Sequence, residues 1–515
     1  MRDDRRMSAP EGLGAVAFDT SCKPQVAGDF NRGVALLHSF WYAEAKRAFE
    51  KVAAADPDCA MAYWAAALTD MHQIQGEPIP ADVAAGQALL AKADSAGEKS
   101  GREALYVNAL HLFYDAYRPG DFLAHATAYS DAMGAVVAAN PDDIEANVFY
   151  ALSLLAADPP TDVSLVNPKK AVAILMPLFK AYPNHPGIAH YIIHACDNPA
   201  MANQGLNAAR HYAAVAPAAP HALHMPAHIF ARLGLWREDI RSNLASKAAA
   251  EVPVGVHVGA ENRLHALEFL EYAYLQIGND DKARAIIDEA KAIDPADVDP
   301  SFPSFFSTVQ ARLSALYVIE TQNWTMALNL TPVAGAGTFS QGLTLLAHAA
   351  AAGHLHDERA AQEASDAVDA LLAARPAPPS TGSSLATLRD EIHAWTLFSQ
   401  GHLEAAATLL RPVSEAQTKI GKQEVELPAR EMLAEMLLLS GKTDEALKEY
   451  QASLASDPNR FNALLNAGRA AARLGRKTLA THYYRALLAT CDGASGPASI
   501  QLAQAKKWLT RRSRN

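Results

Sequence analysis

The chain is punctuated by Asp-Pro. The pair closes alanine-rich stretches whose apolar residues fall at helical spacing: AEAKRAFEKVAAADPDCAMAYWAAAL (43–68), DKARAIIDEAKAIDPAD (281–297) and DEALKEYQASLASDPNRFNALLNAGRAA (444–471). The residue before proline avoids the helical region, and proline itself starts a helix well, so each Asp-Pro ends one helix and admits the next. Glycine marks the turn inside each pair, as in RLGLW, QIGND, SQGHL, LSGKT and RLGRK. A helix–turn–helix unit that recurs this way cannot bury its apolar face alone. It has to stack on copies of itself. No alternation persists long enough to suggest a sheet.

The period of about 34 residues, the small-residue positions and the closing prolines resemble tetratricopeptide repeats. That resemblance implies an all-α fold, a right-handed solenoid of helical hairpins with roughly twelve helix pairs. The expected organisation is an irregular N-terminal segment at 1–25, then a solenoid at 26–373 whose repeats have drifted. The Pro/Ser-rich stretch ARPAPPSTGSS (374–384) reads as a linker, and 385–515 as a regular repeat array.

Composition excludes several functions. The 515 residues are half hydrophobic with a formal net charge of −11, which gives no basic face for nucleic acid. No apolar run is long enough to span a membrane, and the N-terminus lacks the apolar core of a secretory leader. A soluble cytoplasmic chain is the expectation. The cysteines Cys22, Cys59, Cys196 and Cys491 are scattered with no C-x-x-C pair, so neither a thiolate metal site nor a disulfide framework is expected.

Histidine is what stands out. Nine of the nineteen fall between His185 and His265, in HPGIAHYIIHACD (185–197) and APHALHMPAHIFARLG (219–234) and just beyond. His190, His194 and Asp197 step by four and three, and His221, His224 and His228 by three and four, spacings that share a helical face. The proline and small-residue register, set without the histidines, starts units at Ile144, Pro186, Pro220 and Leu264. In tetratricopeptide repeats the second, fifth, ninth and twelfth positions face the concave groove. The resemblance therefore places Glu145, His190, His194, Asp197, His221, His224, His228, His265 and Glu268 on that wall.

Imidazole with carboxylate is metal-ligand chemistry, and pairs at i, i+3 or i+4 chelate from one turn. These nine residues are the expected ligand set for one or two ions. Asp197 and Glu268 are also candidate general bases, and Arg232 a candidate hold on an anionic substrate. With no thiolate in the set, Zn, Fe or Cu is expected, with Mn less favoured. His185, His38 and His72 are possible contributors. Pro226 should open a helix, so that His221 and His224 come from an extended or turning entry and only His228 from the helix proper.

The resulting expectation is a metal-dependent enzyme, hydrolytic or oxidative, taking a small-molecule substrate. The competing readings are a protein or peptide scaffold whose histidines form a metal-free polar core, and a metal-delivery protein. The wording LLHSFWYAEAKRAF (36–49), EANVFYALSLL (145–155), HPGIAHYIIHACDNP (185–199), APHALHMPAHIFARLGLW (219–236) and DPNRFNAL (457–464) is similar to a bacterial group of tetratricopeptide-repeat proteins. That similarity implies a fold and little chemistry.

Overall fold

A computed structural model describes residues 12–160, 162–252, 259–298, 302–374 and 384–511. The expected linker therefore lies almost wholly outside the described residues. The helices pair in chain order, from Ala27–His38 with Tyr42–Ala55 to Phe461–Arg473 with Lys477–Thr490, and Gly496–Thr510 follows as a last helix. Among the described residues there is no strand; Asn279 and Ser495 form an isolated bridge. None of their helices is long and apolar enough to cross a membrane.

Small-on-large contacts hold the hairpins closed. A side chain at Gly33 would meet the ring of Phe49 at 2.5 Å, and one at Gly468 the ring of Tyr484 at 2.6 Å. In each case glycine on the first helix seats an aromatic from the second. Burying each ring contributes about 1.5–3 kcal/mol.

Two compact units result: Met1–Asp197 with Asn203–Pro226, and Asn198–Ala202 with Ala227–Asn515. In the first, the described part of the N-terminal segment, from residue 12, is irregular as expected and runs as a strap anchored by apolar side chains. Leu13, Val16 and Phe18 are buried, and the Phe18 ring lies against Phe30, Trp64 and Tyr106. The strap also ties down the turns that precede two histidine-bearing helices. The Ala15 amide donates to the Asn184 carbonyl at 2.9 Å, and the Ala218 amide to the Gly12 carbonyl at 3.0 Å. Gly14 has φ +80°, and a side chain there would come within 2.8 Å of the Asn184 carbonyl.

The strap ends in a correction to the sequence reading. Cys22 and Cys59 form a disulfide. The strap brings Cys22 to Cys59, which caps the helix Ala60–Thr69, while the Lys23 amide donates to Asp56 at 2.8 Å. Nothing in the cysteine spacing announces a pair joined through tertiary structure.

In the second unit the C-terminal repeats close onto the unit's own first helices. The indole of Trp236 donates to the Asn459 carbonyl at 2.8 Å, and the Phe461 amide to Gln276 at 3.0 Å. Arg460 is fully buried; its guanidinium donates to Glu431 at 2.7 Å, Glu320 at 2.6 Å and the Tyr272 hydroxyl. The Ala498 amide caps the Asp280 carboxylate at 2.9 Å. The DPNRFNAL stretch is thus a clasp.

Candidate histidine centres

The helix Pro186–Cys196 starts on proline, whose missing N–H costs nothing at that position. His190 and His194 sit one turn apart on it. Asp197, expected on the same face, is the C-cap, with φ −77° and ψ 57°. The second motif is also more helical than expected at its start. Pro220–His224 is a helical turn, closed by the Met225 amide on the His221 carbonyl at 2.9 Å. Pro226 then opens Pro226–Arg232, as expected. The break falls at Met225 because Pro226 has no amide to continue the ladder.

Within the first unit three imidazoles converge. The Nε2 of His190 lies 3.0 Å from that of His194 and 3.2 Å from that of His221. His190 is fully buried, and the other two are half-buried. The Nδ1 of His190 donates to the His38 carbonyl at 2.6 Å, which fixes the ring and puts the lone pair on Nε2. Phe40 underlies all three rings, with centroids 4.4, 5.4 and 5.5 Å from His190, His194 and His221. It does so from the left-handed region, φ 53°, which a bulky residue enters only when its surroundings hold it there. His224 adjoins this trio, its ring 6.2 Å from that of His221.

Glu145 belongs to a second, fully buried cluster. His38 Nε2 donates to its Oε2 at 2.8 Å and His185 Nε2 to its Oε1 at 2.9 Å, while Tyr191 donates to His38 Nδ1 at 2.9 Å. Burial alone would raise the Glu145 carboxyl. The two imidazole partners outweigh it and pull the pKa down to about 2. Burial lowers the pKa of His38 against the pull of Glu145, so an ionised carboxylate accepts from a neutral ring. Both Glu145 oxygens and both His38 nitrogens are thereby used. His72 lies apart from the trio, stacked on Tyr42 at 5.0 Å.

The second unit carries His228, Arg232, His265 and Glu268. His265 Nδ1 donates to Glu268 at 3.0 Å, and Arg312 Nε stands 3.1 Å from the other Glu268 oxygen. Glu268 is buried, which raises its pKa, but Arg312 and His265 prevail and leave it lowered. It therefore orients His265. Arg232 donates to Glu424 at 2.6 Å, and His228 Nδ1 is 3.8 Å from the same oxygen. Glu424 is the acid that repeat register did not find. It sits between the helices Leu403–Ile420 and Ala429–Leu439, in a segment that packs against the unit's earlier helices. There Gln423 accepts from Arg312 at 2.8 Å and the Glu426 carbonyl from Tyr272 at 2.9 Å.

Residues 393–460 and 431–495 match the tetratricopeptide-repeat family model. No curated protein matches the chain. Among solved structures the chain is similar to the APC/C heterotetramer Cut9–Hcn1, at 13% identity over 93% of this chain and 90% of that one, TM-score 0.35. It is also similar to the TPR domain of P58(IPK), at 14% identity over 95% and 100%, TM-score 0.21. A third is the human IFIT1 dimer with m7Gppp-AAAA, at 12% identity over 88% and 90%, TM-score 0.38.

Proposed function

We propose that this tetratricopeptide-repeat protein binds a transition-metal ion through the Nε2 atoms of His190, His194 and His221. The supporting observation is their spacing, 3.0 and 3.2 Å, with the His190 proton held on the far nitrogen by the His38 carbonyl. Ligand atoms about 2.0–2.1 Å from a tetrahedral ion lie roughly 3.3 Å from one another. An all-imidazole set favours Zn, Cu or Fe over Mg or Ca.

Three ligands leave a position open, and the half-burial of His194 and His221 leaves that side accessible. An ion so held supplies water activation for hydrolysis or a redox centre for oxidation. On this reading the chain is a metal-dependent enzyme. Asp197, at the end of the helix bearing His190 and His194, is the carboxylate assigned to proton transfer. The Glu145 cluster holds the His38 ring, and with it the backbone that orients His190.

The family match at 393–495 favours a second reading, a scaffold for protein partners whose histidines are structural. Metal analysis separates the two. Protein purified without a polyhistidine tag should carry stoichiometric metal by mass spectrometry, and His194→Ala and His221→Ala should each lose it. Metal at background after expression in Zn-, Fe- and Cu-supplemented media would reject the metal reading and leave the scaffold.

A further inference from the structure

We propose that the N-terminal strap is a positioning element for the histidine trio: residues 12–16 set the spacing between the helix that bears His190 and His194 and the helical turn that bears His221. The proposal rests on the metal reading of the first unit for its ligand, and every residue it uses belongs to that unit.

The trio is split between two elements. His190 and His194 come from Pro186–Cys196, and His221 from Pro220–His224. A ligand set divided this way needs its halves held in register, because a binding constellation works only when its members are fixed to within about 0.5 Å. The strap bonds to the turn before each half. The Ala15 amide donates to the Asn184 carbonyl at 2.9 Å, just ahead of the N-cap His185. The Gly12 carbonyl accepts from the Ala218 amide at 3.0 Å, just ahead of the N-cap Ala219. One short piece of backbone thus bridges both turns.

Gly14 is the wedge between them. It has φ +80°, and a Cβ there would lie 2.8 Å from the Asn184 carbonyl oxygen, 2.8 Å from Val215 and 2.9 Å from Pro186. Pro186 opens the first histidine helix, and Val215 ends the helix Ala202–Val215 that leads to the second. Glycine alone suits both that backbone and that space. Leu13 and Val16, both buried, key the strap into the core on either side of it. A side chain at Gly14 would therefore push on both turns at once. His221 follows Ala218 by three positions, less than one helical turn, so movement there reaches the ligand directly.

Gly14→Ala is the test, read by cobalt(II) titration of metal-stripped full-length protein with visible ligand-field absorption. Cobalt should bind at least tenfold more weakly than to wild type, and its absorption should weaken and shift as a donor is lost. Gly86→Ala is the control for mere destabilisation. A Cβ at Gly86 would collide with the Tyr114 ring, in the same unit but on helices that carry no member of the trio. That variant should lose stability and keep the wild-type affinity and spectrum. Hydrogen exchange gives a readout that needs no metal: in Gly14→Ala, segments 184–194 and 216–224 should exchange faster together while 101–114 is unchanged. Val16→Ala, which trims a buried anchor and leaves the backbone alone, carries the same measurements if Gly14→Ala folds poorly. Wild-type affinity and spectrum in Gly14→Ala would overturn the proposal, as would an equal loss in Gly86→Ala. If wild type binds no cobalt, the metal reading fails, and the strap's role then stands or falls on whether the two segments loosen together.

Discussion

His190 is oriented from behind. Its partner is a backbone carbonyl, that of His38, and the His38 ring is itself braced by Glu145 and Tyr191. Gly187 makes the brace possible, because a Cβ there would lie 2.5 Å from His38 Nδ1. Gly187→Ala should therefore cost about 1–3 kcal/mol in urea unfolding. It should also weaken metal binding, and a wild-type midpoint would show that the brace has slack. Acid should reach the same cluster. The Glu145 carboxyl falls from an ordinary 4.5 to about 2 on folding. A depressed carboxyl stabilises the fold above its unfolded value, and that stability is withdrawn as pH drops from about 4.5 toward 2. The amount at stake is about 3 kcal/mol. Stability measured between pH 5 and 2.5 should fall in wild type and fall less in Glu145→Gln; parallel curves would remove Glu145 from the acid limb. Much of this was legible in the sequence. Helical spacing and repeat register single out His190, His194 and His221 because all three lie on elements the repeat defines. Register also marks Glu145 as inward-facing, but its partners His38 and His185 come from a different repeat and from a turn, where periodicity is silent.

Helices were the readable elements, and the segments between them were not. The Asp-Pro and glycine signals act over a few residues, so they locate hairpins such as Phe461–Arg473 with Lys477–Thr490. The strap at 12–22 and the loop at 421–428 owe their courses to distant contacts, and neither the Cys22–Cys59 bond nor the place of Glu424 is written in local sequence. The strap lends itself to a test. Its disulfide closes a loop of sequence separation 37. Replacing both cysteines with serine should cost about 2–4 kcal/mol. The loss should appear as a lower unfolding temperature with the repeat helices intact by circular dichroism, whereas an unchanged temperature would mean the buried Leu13, Val16 and Phe18 hold the strap unaided. Such bonds are a mark of oxidising compartments, which sets this one against the cytoplasmic location expected from the N-terminal sequence.

At the scale of the molecule, a chain of 515 residues that divides into two compact units is expected to depart from one all-or-none transition. Perturbing one should register mainly in its own transition. Arg460 offers the sharpest probe, since it is buried with Glu320 and Glu431 on either side. Removing it leaves carboxylates without a counter-charge in the interior, at a cost of about 3–5 kcal/mol. Arg460→Ala should shift the transition of the second unit and leave that of the first in place; a single common shift would show that the units melt together. The same clasp bears on how such a chain can evolve. Open repeat arrays grow and shrink by whole units, because each end is interchangeable with any interior junction. Here the segment 457–462 meets residues more than a hundred positions earlier, with the turn at Gly234 against Pro458 and Phe461 on Gln276. Inserting or deleting one hairpin between them would throw the two halves of the clasp out of phase. The clasp therefore holds the second unit to its present number of repeats between those two contacts.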